Sequence, residues 1–126
     1  MKKLIISFLT AGILFLFLQA FVPESPQEKV FPDEISTILK TSCYDCHTTG
    51  SRSEAALKAI DYLKWDEYKV TKKISKLGDI GKMVEEGKMP PKKYLENKPE
   101  SQLSEVQKKI LIDWTKAESD KLMQGE

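Results

Sequence analysis

Apolar positions along the chain fall into one continuous run followed by several spaced patterns. The run comes first: Leu4 to Leu18 is almost wholly apolar and extends to Val22 with a single Gln, behind Met1-Lys2-Lys3. A basic start followed by an apolar stretch is the shape of a signal peptide, and this stretch is nearly long enough to span a bilayer. Residues 1–22 therefore read as a signal peptide or an N-terminal membrane anchor. Leu18 suits the −3 position of a cleavage after Ala20 poorly, so the pattern leaves cleavage open. Basic residues before an apolar run stay in the cytoplasm. This predicts an exported chain, periplasmic or tethered to the outer side of the cytoplasmic membrane. Residues 23–32 carry Pro23, Pro26 and Pro32 and read as an extended tether, with Val30 and Phe31 docking on the domain that follows.

From residue 33 the spacing becomes helical, and the expected class is all-α. Asp33 is the expected N-cap of a short helix with Ile35, Ile38 and Leu39 on one face. Ser53 is expected to cap a second helix through Ile60. Trp65 to Tyr68 reads as another helix start, with Asp66 as its cap and Val70, Ile74 and Leu77 at helical spacing. Gly78 and Gly81 weaken that helix by about 1 kcal/mol each and predict a break or a close approach. Gly87 is placed to end it. Tyr94 and Leu95 are expected to return to the core, and Asn97 to Glu100 to turn. Ser104 and Gln107 form a capping box before a final helix with Val106, Ile110, Trp114 and Ala117 as its apolar stripe, flanked by Leu103 and Leu111. No strand, internal repeat or low-complexity tract is visible.

The chain has 126 residues, enough for one domain with a small core. Its 20 basic and 19 acidic side chains nearly balance, which offers no global argument for nucleic acid. Lysines gather at 72–73, 92–93 and 108–109. These read as solvated faces, although a lysine patch also steers an acidic redox partner.

The chemistry sits in Cys43-Tyr44-Asp45-Cys46-His47. This is C-x-x-C-H, the attachment pattern of a c-type haem. Two thiols on one turn reach the two haem vinyl groups, and the next residue supplies a proximal imidazole. The chain has no other cysteine and no other histidine. A zinc site usually takes four Cys or His ligands, or three with an open position; here the three are adjacent in sequence and no fourth Cys or His exists, so a metal site is the least favoured reading. A thioredoxin-like pair needs a βαβ context that is absent. A Cys43–Cys46 disulfide or dithiol stays open in an exported chain. With one covalent haem c as cofactor, residues 33–126 become a haem c-binding domain with His47 as iron ligand.

With His47 used, the second axial ligand of the iron is a methionine, a lysine, water or nothing. Met1 lies in the leader and Met123 near the C-terminus. Met83 falls on an apolar helical stripe, where methionine fills cores. Met89 differs. It follows Gly87-Lys88 and precedes Pro90-Pro91, and prolines stiffen the backbone around it. Met89 is therefore the candidate distal ligand. Trp65, Trp114, Tyr68 and Tyr94 are candidate pocket walls.

A short helix, C-Y-D-C-H, Trp65-Asp66-Glu67-Tyr68, G-K-M-P-P, L-S-E-V-Q and a last helix with I-L-I-D-W together resemble the bacterial haem-binding-domain family over roughly residues 31 to 122. More broadly they resemble a small class I cytochrome c. The resemblance implies thioether attachment at Cys43 and Cys46, proximal ligation by His47 and a methionine role mapping onto Met89. Thr48 to Ala59 lacks the Trp- and Pro-rich segment that members often carry after the haem motif. The expected function is a one-electron carrier or redox relay, not an enzyme, working with a redox partner protein that the sequence does not specify. The alternative is an open-site haem sensor or peroxidase-like protein, against which the lack of a distal histidine argues. Oligomeric state is not encoded in any pattern here.

Overall fold

The computed structural model describes residues 29–125. The expected signal or anchor segment 1–22 and most of the tether lie outside the described residues. The described part comprises α1 (Asp33–Ser42), α2 (Glu54–Ala59), a 3₁₀ turn (Tyr62–Glu67), α3 (Val70–Glu85), α4 (Lys92–Leu95), a short 3₁₀ turn (Pro99–Ser101) and α5 (Glu105–Gln124). No strand occurs among the described residues, so the described part is all-α, as its periodicity predicts. Among them, no helix is long and apolar enough to cross a membrane.

α1 buries Ile35, Ile38, Leu39 and Ser42, the i, i+3, i+4, i+7 face of an amphipathic helix. Its N-cap position is held by Pro32 without a side-chain bond, not by Asp33. Asp33 is the first helical residue and pairs with Lys29 at 2.7 Å. An acid in the first turn complements the helix dipole, and the exposed pair itself adds little. Phe31 plugs into the core as expected. Its ring lies 6.1 Å from Tyr62, 5.5 Å from Trp65 and 5.8 Å from Trp114, whereas Val30 is exposed.

The expected helix start at Trp65 to Tyr68 is instead a 3₁₀ turn, broken at Lys64. Tyr62 and Trp65 are both buried, while Asp66 is exposed. Side chains three apart eclipse in a 3₁₀ helix, so this geometry sends both aromatics to one side. The capping carboxylate is that of Asp61, which accepts from the Leu63 N–H at 3.1 Å.

α3 and α5, 16 and 20 residues long, are the principal packed pair. Gly78 and Gly81 do not break α3. A Cβ on Gly81 would stand 2.8 Å from Thr115 Oγ1, whereas nothing lies within 4 Å of one on Gly78. Gly81 therefore marks a close approach of α5. Gly78→Ala should stabilise the protein by about 0.5–1 kcal/mol. Gly81→Ala makes the same propensity gain but adds an overpacking cost of about 1–3 kcal/mol, for a net loss. Denaturant midpoints should move in opposite directions; matching increases would refute the close approach.

α3 ends in a Schellman arrangement. Lys88 N–H donates to Met83 O at 2.9 Å, Gly87 N–H donates to Val84 O at 3.1 Å, and Gly87 has φ +64°, where only glycine is at ease. α5 begins with the predicted capping box of Ser104 and Gln107. Its buried face centres on Leu111 and Thr115, with Ile110 and Trp114 only partly buried and Val106 68% exposed. The expected stripe is thus rotated by one residue, roughly 100°. Tyr94 and Leu95 are half-buried and lie outside the core, a correction explained by the site below.

Candidate functional site

The C-Y-D-C-H segment leaves α1 as a further turn. Cys43 and Tyr44 N–H groups donate to Leu39 O, and Cys46 and His47 N–H groups donate to Cys43 O at 3.3 and 3.1 Å. Residues three apart on such a turn share a side, so Cys43 and Cys46 project together. Both thiols are unpaired and half-buried. The segment is pinned from its far end: Ser51 Oγ donates to Cys46 O at 2.7 Å, and the Thr49 N–H and hydroxyl donate to the Asp61 carboxylate. Burial pushes the Asp61 carboxyl up, but the bonds from Thr49 and Leu63 outweigh it and leave it below its ordinary value.

Cys43, Cys46, His47 and Met89 line one cavity of about 490 Å³, within the range of pockets that bury small cofactors. α2 contributes the small side chains Ala55, Ala56 and Ala59. α3 contributes Lys76, Asp79, Ile80, Met83 and Val84, the loop into α4 adds Pro90 and Pro91, and α4 itself adds Tyr94. Tyr94 is the one expected aromatic wall found there. Trp65, Trp114 and Tyr68 instead pack in or against the core. Tyr62, which the sequence pattern did not single out, lines the cavity, sits 6.1 Å from the His47 ring and donates its backbone N–H to His47 O at 2.9 Å.

His47 is oriented by backbone. Its Nδ1 lies 3.0 Å from Ala56 O and 3.3 Å from Ile60 O. Carbonyls only accept, so Nδ1 carries a proton, which in the neutral ring leaves the lone pair on Nε2. This is the arrangement that orients metal-ligating histidines. A haem fits this donor set: two thiols and an imidazole with a free Nε2 share an apolar cavity with a thioether. Among the described residues, no group of three or more His, Cys, Asp and Glu side chains is placed to hold a bare metal ion.

Burial pushes the Cys43 thiol up to about 12, against the pull of a hydrogen bond from Tyr62. Burial, with Cys43 adding to it, raises the Tyr62 phenol well above its usual value. A thiol held neutral is a weak nucleophile, and an uncharged thioether suits the same surroundings.

Met89 is half-buried beside buried Pro90, and the Met89–Pro90 peptide is cis. Its N–H donates to Met83 O at 3.2 Å, folding the loop back on the end of α3. Met83 is not core filling, contrary to the expectation from its stripe: it is half-buried on the cavity wall. Two thioethers thus face one space. Asp45 ties the C-Y-D-C-H turn to the far side of this loop. Its carboxylate accepts from Tyr94 Oη at 2.8 Å and from Lys98 Nζ at 2.5 Å. The Lys98 and Tyr94 hydrogen bonds hold it below the usual carboxylate range. That bond keeps Tyr94 at the cavity lip instead of in the core.

Lys76 is a second cavity residue that sequence reasoning missed. It is buried, with Nζ donating to Ala59 O and lying 5.1 Å from the Tyr68 ring centroid. Burial, then Lys72, lowers its pKa. A signal existed: Lys76, Ile80, Met83 and Val84 share one face at i, i+4, i+7, i+8, which places a charge in an apolar stripe.

Residues 52–117, just over half of the chain, match the family described as a haem-binding domain. The match takes in α2, α3, the methionine loop and most of α5, and starts five residues beyond His47. No curated protein and no solved structure matches the chain significantly.

Proposed function

This chain belongs to the haem-binding domain family, and from that premise we propose that it is an exported monohaem c-type cytochrome, a one-electron carrier or redox relay. The observation that carries the reading is His47, tautomer set by Ala56 O and Ile60 O, in one cavity with Cys43, Cys46 and Met89. Haem, when bound, supplies a one-electron ferric/ferrous couple. The chain supplies the rest. Cys43 and Cys46 anchor the ring edge, His47 presents Nε2, and Met89 offers a soft sulfur that raises the potential. Ala55, Ala56, Ala59, Ile80 and Val84 exclude water from the couple. With His47 and Met89 both given to the iron, the chain would have no second histidine to serve as the acid/base group of a peroxidase-like site.

The test uses the chain produced with the haem-attachment machinery and fused after Glu126 to a topology reporter. The expected results are an extracytoplasmic reporter, a six-coordinate low-spin spectrum and a reduced protein that does not take up carbon monoxide at once. Cytoplasmic reporter activity would remove the export reading. Immediate carbon monoxide binding would favour the open-site sensor or peroxidase-like protein.

A further inference from the structure

Lys76 is 8% exposed in a cavity whose walls are mostly apolar. An ammonium has three N–H donors. One goes to Ala59 O, and the Tyr68 ring faces the charge without accepting a full hydrogen bond. Among the described residues Lys76 makes no ion pair. Asp79 also lines the cavity, but it is exposed and does not pair with Lys76. A buried cation is retained where an anion meets it.

We infer that Lys76 anchors a haem propionate, so that a charge pair inside the cavity sets the orientation of the ring. The inference rests on the haem reading above. Haem carries its two vinyl groups on one half of the macrocycle and its two carboxylates, its only anionic substituents, on the other. The attachment turn holds the vinyl half. Lys76 comes from a different wall, α3, and offers the cation that the carboxylate half needs. Its head is fixed at Ala59, next to Ile60, whose carbonyl also receives His47. The ammonium is therefore tied to the segment that holds the proximal imidazole. Ring binding would shield the pair from water and strengthen it.

The test titrates the full-length apoprotein, thiols reduced, with haemin and with haemin dimethyl ester. Wild type and Lys76→Arg should prefer the diacid by about tenfold or more, the size of one charge-assisted hydrogen bond. Lys76→Met should lose most of that preference while keeping its helical circular dichroism. Should Lys76→Met not fold, the wild-type comparison of acid and ester decides alone. Equal, tight binding of acid and ester by wild type would overturn the propionate anchor and leave the haem reading standing. Binding of neither would remove both. A nitrogen-ligated spectrum in wild type that Lys76→Met abolishes would assign Lys76 to the iron instead and overturn the anchor.

Discussion

Replacing both Cys43 and Cys46 by alanine should yield a protein that releases its haem completely on denaturation. Wild type, made with the same attachment machinery, should keep haem in the denatured, acid-extracted chain. The reason is the geometry of the turn. Cys46 and His47 N–H groups both close on Cys43 O, so the two sulfurs project to one side and into the cavity that receives His47. Thioethers survive unfolding, whereas an axial imidazole does not hold haem once the bonds from Ala56 O and Ile60 O are lost. Single variants, Cys43→Ala or Cys46→Ala, should retain haem through one bond and show the shifted ferrous band of a ring with one free vinyl. Covalent haem in the double variant would sink the attachment. Neither thiol in wild type adding to haem would leave a disulfide or dithiol as the role of the pair. Loss of the anchor should also lower stability, because a domain this small has little other core to rely on.

Met89→Ala should abolish the weak far-red sulfur-to-iron band of the oxidised protein and open the reduced iron to carbon monoxide. It should also lower the reduction potential by on the order of 100 mV or more, within the ~0.8 V range that axial ligands span. The soft thioether favours the ferrous state, and alanine leaves water or nothing in its place. Met83 makes the comparison informative. It lines the same cavity, but its backbone is inside α3, while Met89 sits in the loop that the Schellman turn and Pro90-Pro91 hold beside the cavity. Met83→Leu keeps the volume and should leave band and potential nearly unchanged. A band that follows Met83 instead would move the ligand from the loop to the cavity wall of α3 and keep the carrier reading. An unaltered Met89→Ala spectrum together with an unaltered Met83→Leu spectrum would defeat methionine ligation and promote the open-site haem protein.

What the sequence determined by itself was set by neighbours in the chain. C-x-x-C-H is legible because both thiols and the imidazole act from a single turn. The Ser104–Gln107 box, the Ser53 cap and the Gly87 terminus are legible because each side chain or positive φ satisfies backbone groups within a few residues. The α1 face is legible because its period is local. What only the tertiary structure decided depended on distant neighbours. Spacing could not say that α5 would bury Leu111 and Thr115 in preference to Ile110 and Trp114, since that depends on where α3 lies. It could not separate a helix break at Gly81 from a close approach, because the deciding atom is Thr115 Oγ1. Tyr62 and Trp65 chose a 3₁₀ turn over a helix start because both had to reach Phe31. The Nε2 lone pair of His47 is set by carbonyls 9 and 13 residues away. Lys76 interrupts an apolar stripe in the sequence, but only the cavity that closes around it shows that its charge is buried. Burial is a property of the space between elements, and a charge acquires its special role when that space removes its water.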